Sequence, residues 1–157
     1  MQIKGKHDRP LYYTGYNGSS DVSRIQVDPG SVLSIMPHRG MQHMRISIHW
    51  LSAIQTTIYS FNANSTYPMG KIKLRCQIGD LKSEVMCYVI GTNTSYNLLL
   101  GRLWIHRNSI VSSTLHQVMK CVDERGSVRT LIAKASIQEG RELLHWLPRL
   151  LRSSWAY

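Results

Sequence analysis

Acidic residues are scarce in this 157-residue chain: nine Asp and Glu stand against 19 Lys and Arg, a formal net charge of +10 at neutral pH. Long apolar runs are missing as well. No stretch approaches the ~20 apolar residues that cross a bilayer as a helix, and the first fifteen residues, MQIKGKHDRPLYYTG, hold no apolar leader core. The expectation is therefore a protein without a membrane span, cytoplasmic or nuclear and not secreted. Cysteine is sparse and unpaired in pattern, with Cys76, Cys87 and Cys121 showing neither a CxxC spacing nor a histidine beside them. That excludes a disulfide scaffold and a zinc site. Reduced core thiols are expected, although Cys76 and Cys87 have a spacing compatible with adjacent strands.

Other chemistries lack a foothold too. The seven histidines are scattered and never fall at the i, i+4 spacing of a helical metal pair, and neither a Gly-x-Ser-x-Gly elbow nor a Gly-Lys-Ser/Thr phosphate loop is present. No metal and no cofactor is expected. The surplus of bases points to something acidic, nucleic acid first, but charge alone identifies no partner.

Hydrophobic residues make up 43% of the chain, enough for one core. They recur mainly with period two. Ile25 and Val27 alternate with Arg24 and Gln26; Ile72, Leu74 and Cys76 alternate with Lys71, Lys73 and Arg75; residues 85–90 are rich in strand formers. Turn signals separate these runs: GYNGSS at 15–20, NANS at 62–65, Gly79-Asp80, and GTNTS at 91–95. Short strands at such intervals predict a small barrel or sandwich. A short helix is expected over 102–107 (RLWIHR), after Gly101. Met41, Met44 and Ile48 have roughly helical spacing within 37–53, against which Gly40 counts. In the last nineteen residues Leu143, Leu147, Leu150 and Leu151 alternate with arginines in a basic amphipathic pattern that Pro148 interrupts. This gives a main domain over 9–138, with tails at 1–8 and 139–157.

Most of the nine acids lie in turn-like or polar surroundings. Asp28 ends an apolar-alternating strand, is followed at once by Pro29, Gly30 and Ser31, and then the chain resumes an apolar course. A carboxylate at a sharp turn, with glycine permitting close backbone approach, stands at the rim of a core. An Asp-Pro-Gly turn alone is equally well an ordinary turn.

Three blocks decide between these readings. IQVDPGSVLSIMP at 25–37, TIYSFNANSTYPMGKIKLRCQIG at 57–79 and YNLLLGRLWIHR at 96–107 occur in that order. Together they resemble the retropepsin-like aspartic proteases of plant long-terminal-repeat retrotransposons, from about residue 9 to residue 141. The resemblance implies an all-β fold, a small closed acid-protease barrel with a flap hairpin and one short helix. It implies that Asp28 is the catalytic aspartate, with Pro29, Gly30 and Ser31 as the catalytic turn. It gives the flap a turn near residues 62–66, with Tyr59, Phe61, Asn62 and Tyr67 lining the substrate groove, and makes Leu99, Leu100 and Gly101 the apolar-Gly support beneath the site.

Aspartic proteolysis needs two carboxylates sharing one proton, and the sequence contains no second Asp-x-Gly. The resemblance therefore implies a homodimer with one Asp28 per chain, acting on a polypeptide substrate as part of a gag-pol polyprotein. Two departures stand out. Pro29 replaces the family's Ser or Thr, whose hydroxyl helps join the two catalytic loops, and Val32 replaces an acid that pairs in retroviral relatives with the residue matching Arg102. Arg102 is accordingly expected as a solvated or helix-capping charge. Two other readings stay open: an inactive barrel that dimerises or binds peptide, and a basic nucleic-acid-associated domain with Lys71, Lys73 and Arg75 on one strand face.

Overall fold

The computed structural model describes residues 9–53, 58–59, 65–66 and 68–134. Both tail segments, 1–8 and 139–157, lie outside the described residues. The chain opens with an antiparallel hairpin, β1 (Leu11–Asn17) and β2 (Ser20–Val27). After β2 come a tight turn, β3 (Ser34–Pro37), helix α1 (His38–His43) and a 3₁₀ turn at Ile48–Trp50. A short antiparallel pair, β4 (Ile58–Tyr59) and β5 (Ser65–Thr66), precedes the long hairpin of β6 (Gly70–Ile78) and β7 (Leu81–Ile90). Strand β8 (Leu98–Leu100) leads directly into helix α2 (Arg102–Arg107). A three-stranded sheet of β9 (Val111–Ser113), β10 (Val118–Val122) and β11 (Val128–Ile132) follows.

Six of these strands close a barrel in the order β1-β2-β8-β3-β7-β6. The period-two pattern explains its interior. Ile25 and Val27 on β2, Leu74 and Cys76 on β6, and Val85, Cys87 and Val89 on β7 are buried, while Arg24, Lys73 and Arg75 are exposed. Gly79-Asp80 forms the two-residue connection between Ile78 and Leu81, with Gly79 at φ +56°, in the left-handed region that glycine adopts at little cost. The expected all-β closed barrel is what the chain forms.

The helix count differs from expectation: two short α-helices are present among the described residues. Gly40, which counted against a helix, is what lets α1 pack. A Cβ there would lie 2.1 Å from the Asn97 carbonyl oxygen, so only glycine permits this approach, and Met41 and Met44 are buried beside it. Ile48 falls on the separate 3₁₀ turn and is half exposed. Two of the residues expected near the flap turn are paired. Ser65 and Thr66 pair with Tyr59 and Ile58 as strand rather than turn.

Cys76 and Cys87 do sit on neighbouring strands, but the register pairs Cys76 with Ser83 and Cys87 with Ile72. All three cysteines are free and buried. Burial pushes the Cys76 thiol up to about 12 from 9.0, and raises Cys87 well above its ordinary value. A thiol raised in the folded state stabilises the fold below its unfolded pKa, and that stability is lost as pH rises through the folded one. Urea midpoints followed by circular dichroism are expected to hold at pH 7–8 and fall steadily from about pH 9 toward pH 12; a flat profile there contradicts the burial of these thiols.

Candidate active site

Strand β2 delivers Asp28 to the barrel rim. Its backbone N–H donates to the Leu100 carbonyl at 3.0 Å, extending by one residue the parallel pairing of Val27 with Leu100. The chain then reverses: the Ser31 N–H donates to the Asp28 carbonyl at 3.2 Å, with Pro29 at the second position of the turn, where its fixed φ is favourable. The Asp28 side chain is half-buried, and its Oδ1 accepts from the Gly30 N–H at 2.9 Å. That contact fixes the carboxylate against its own turn and leaves Oδ2 for other partners.

The support beneath the turn is β8, which lies between β2 and β3, parallel to the first and antiparallel to the second. Leu98 and Leu100 are buried in the core, and Leu99, on the opposite side of the strand, is buried too. Gly101 then passes under the turn. A Cβ at Gly101 would lie 2.3 Å from the Leu33 carbonyl oxygen and 2.8 Å from that of Ser31. Its N–H donates to the buried Ser34 Oγ at 3.0 Å.

Helix α2 starts against the turn itself. The Arg102 N–H donates to the Ser31 carbonyl at 2.6 Å, and the Leu103 N–H to that of Val32 at 3.2 Å. Two N–H groups that a helix start leaves unpaired are thus satisfied by the aspartate turn. Arg102 is not merely solvated or capping: its Nε donates to the Pro29 carbonyl at 3.2 Å, clasping the turn from outside. The Ser31 hydroxyl is used internally, donating to the Leu33 carbonyl at 2.8 Å.

Asp28, Pro29, Gly30 and Ser31 are therefore brought together with Leu99, Leu100 and Gly101. The flap residues are a different matter. Tyr59 lies on β4, whereas Phe61, Asn62 and Tyr67 lie outside the described residues. Among the described residues no group of three or more His, Cys, Asp or Glu is placed to hold a metal, and no helix is long and apolar enough to cross a membrane.

Three participants were not singled out from the sequence. Tyr96 opens the third block, and its phenol is pushed up to about 12, by burial first and then by the Asp28 carboxylate and Tyr12. Asn97 beside it is tied to β2 through its Nδ2, which donates to the Ser23 carbonyl at 3.0 Å. Ser34 is the polar residue in the otherwise apolar β3, and that contrast was its available signal. Ser34→Ala removes a buried acceptor and strands the Gly101 N–H, a loss of about 1–3 kcal/mol. Thermal unfolding is expected to show it as a lower Tm, and an unchanged Tm means that the Gly101 N–H has found another partner.

The architecture is shared with solved structures. The retroviral protease-like domain of Ddi1 from Leishmania major superposes with a TM-score of 0.57 at 17% identity, covering 83% of this chain and 95% of that one. A retropepsin-like aspartic protease from Rickettsia conorii gives 0.46 at 19% identity, covering 64% of this chain and 72% of its own. The EIAV protease, complexed with an inhibitor, gives 0.46 at 9% identity over 67% and 93% of the two chains. No family model and no curated protein matches the sequence. The Ddi1 likeness carries the assignment: the chain has the fold of a retroviral protease-like domain.

Proposed function

We propose that the chain is a retropepsin-type aspartic endopeptidase, active as a homodimer with one catalytic Asp28 per protomer, and derived from the gag-pol polyprotein of a plant long-terminal-repeat retrotransposon. The observation that carries this reading is the half-buried Asp28 carboxylate, held by Gly30 on a turn that also caps α2. Such a turn holds a carboxylate rigidly at the edge of a core, where a symmetry-related copy brings a second one beside it.

In that dimer the two Asp28 side chains share one proton between them. The ionised carboxylate takes a proton from water as the water oxygen attacks the scissile carbonyl carbon, while the protonated one donates to the carbonyl oxygen. The tetrahedral intermediate collapses with the C–N bond broken and a proton delivered to the leaving amine. The β4–β5 hairpin supplies the flap over an extended polypeptide substrate, with Tyr59, Phe61, Asn62 and Tyr67 as groove residues. No cofactor is required.

Pro29 favours a second reading. It offers neither a hydroxyl nor an N–H across a dimer axis, so the turn is supported from its own chain by Arg102. A barrel that keeps the fold and has lost catalysis, binding peptide or dimerising, follows if that support is insufficient. The deciding experiment incubates the purified chain with peptides containing apolar junctions at mildly acidic pH, with and without a pepstatin-type inhibitor, alongside sedimentation. Inhibitor-sensitive cleavage by a dimer supports the enzyme. A dimer that cleaves nothing at any pH supports the inactive barrel, and a monomer that cleaves contradicts the mechanism.

A further inference from the structure

The outward face of the β6–β7 ribbon gathers charge that the Asp28 site does not use. Leu74 and Cys76 on β6 are buried, so Lys71, Lys73 and Arg75 stand in one outward row, with about 6.8 Å between successive members. Opposite charges directly across an antiparallel pair stabilise one another, and a basic row without them keeps its charge unmatched. Here Lys71 is in register with Tyr88 and Lys73 with Met86, and only Arg75 faces an acid, Glu84. Glu84 Oε2 lies 3.7 Å from Lys73 Nζ with both side chains exposed, so one carboxylate meets three cations. Lys82 adds a fourth cation opposite Gln77.

Beyond β7, Tyr88 and Met86 border a cleft of about 170 Å³ whose walls include Leu33, Leu103 and Arg107, with Glu84, the acid already matched to Lys73, at its border. Met86 is 41% and Leu103 60% exposed. A row of cations spaced like successive phosphates thus runs beside a cleft holding an aromatic ring and uncovered apolar side chains. Stacking platforms flanked by basic tracks are the arrangement that holds unpaired bases. Helices α1 and α2, six residues each, offer no recognition helix for a duplex groove.

We propose that this face binds single-stranded nucleic acid, with phosphates along Lys71, Lys73 and Arg75 and bases against Tyr88 and the Met86–Leu103 cleft. The proposal does not use the Asp28 carboxylate, although Leu33 and Leu103 of the cleft wall also belong to the support of its turn. The test is fluorescence anisotropy of a labelled fifteen-nucleotide oligouridylate with the full chain, titrated from low to moderate salt, every variant being checked for native circular dichroism. Replacing Lys71, Lys73 and Arg75 together by Gln is expected to weaken binding at least tenfold at low salt. It should also reduce the slope of log affinity against log salt by about 2, from ~0.7 per lost phosphate contact. Tyr88→Ala is expected to weaken binding about fivefold or more with the slope kept. An equal charge change elsewhere, Arg39, Arg125 and Lys134 to Gln, is expected to stay within about twofold, and Asp28→Asn to bind as wild type. Three results would overturn the proposal: equal losses in the two triple variants, no loss on Tyr88→Ala, or tighter binding of the matching duplex.

Discussion

Gly101→Ala is expected to lower the melting temperature by roughly 6–12 °C and to remove any activity. The added Cβ would lie 2.3 Å from the Leu33 carbonyl oxygen and 2.8 Å from the Ser31 carbonyl oxygen. Both are backbone atoms, so no flexible side-chain end exists to yield. Gly101 has φ −93°, which alanine adopts without strain, so the whole effect is overpacking. Moving the Ser31 carbonyl away breaks the bond it accepts from the Arg102 N–H, and displacing Gly101 breaks the one to Ser34 Oγ. Overpacking typically costs about 1–3 kcal/mol, and this site belongs at the upper end. At roughly 2–4 °C per kcal/mol for a domain of this size, that gives the stated range. Calorimetry checks it, and a wild-type Tm would contradict the close packing of β8 beneath the turn.

Asp28→Asn is expected to reduce peptide cleavage by about 10³-fold or more while leaving the fold intact. Asparagine has the same shape, and its side-chain oxygen still accepts from the Gly30 N–H as Oδ1 does. The turn, the cap on α2 and the Arg102 contact to Pro29 are all made by backbone carbonyls that the substitution leaves in place. The loss falls on chemistry alone, because an amide neither takes a proton from water nor shares one with its mate; general acid and base contributions are each about 10²–10⁴-fold. Steady-state cleavage of an apolar peptide, with a thermal melt on the same sample, separates the two effects. Retained cleavage in the variant would end the assignment of Asp28.

The parts of this molecule that a sequence displays are those set by neighbours along the chain. Period-two alternation at Ile25 and Val27 and at Ile72, Leu74 and Cys76 reports strand faces directly, and Gly79-Asp80 and Asp28-Pro29-Gly30 report turns. What escapes is fixed by partners far away in sequence. Gly40 reads as a helix breaker until the Asn97 carbonyl is seen against it. Arg102 reads as a solvated or helix-capping charge until the Pro29 carbonyl, 73 residues earlier, is seen to accept from it. Tyr96 reads as one more aromatic until its neighbour Asn97 is found bound to β2, close to Asp28. The crossing of β8 between β2 and β3 generates all of these contacts, and it leaves no periodic trace.

That crossing also explains how a turn carrying proline keeps its shape. With no hydroxyl at position 29, the carbonyls of Pro29, Ser31 and Val32 are held instead by Arg102 and the start of α2. The turn is therefore held by contacts within its own chain, and under the proposed function a second protomer has only the second carboxylate to add.

The most direct test of one Asp28 per protomer and two protomers per site is a mixing experiment. Wild-type and Asp28→Asn chains are allowed to exchange at fixed total concentration, and cleavage is followed as their ratio changes. With random pairing, an equimolar mixture leaves roughly a quarter of the dimers with both carboxylates, so about a quarter of the wild-type rate is expected. A rate of one half, linear in the wild-type fraction, would show that each chain works alone and would contradict the shared site.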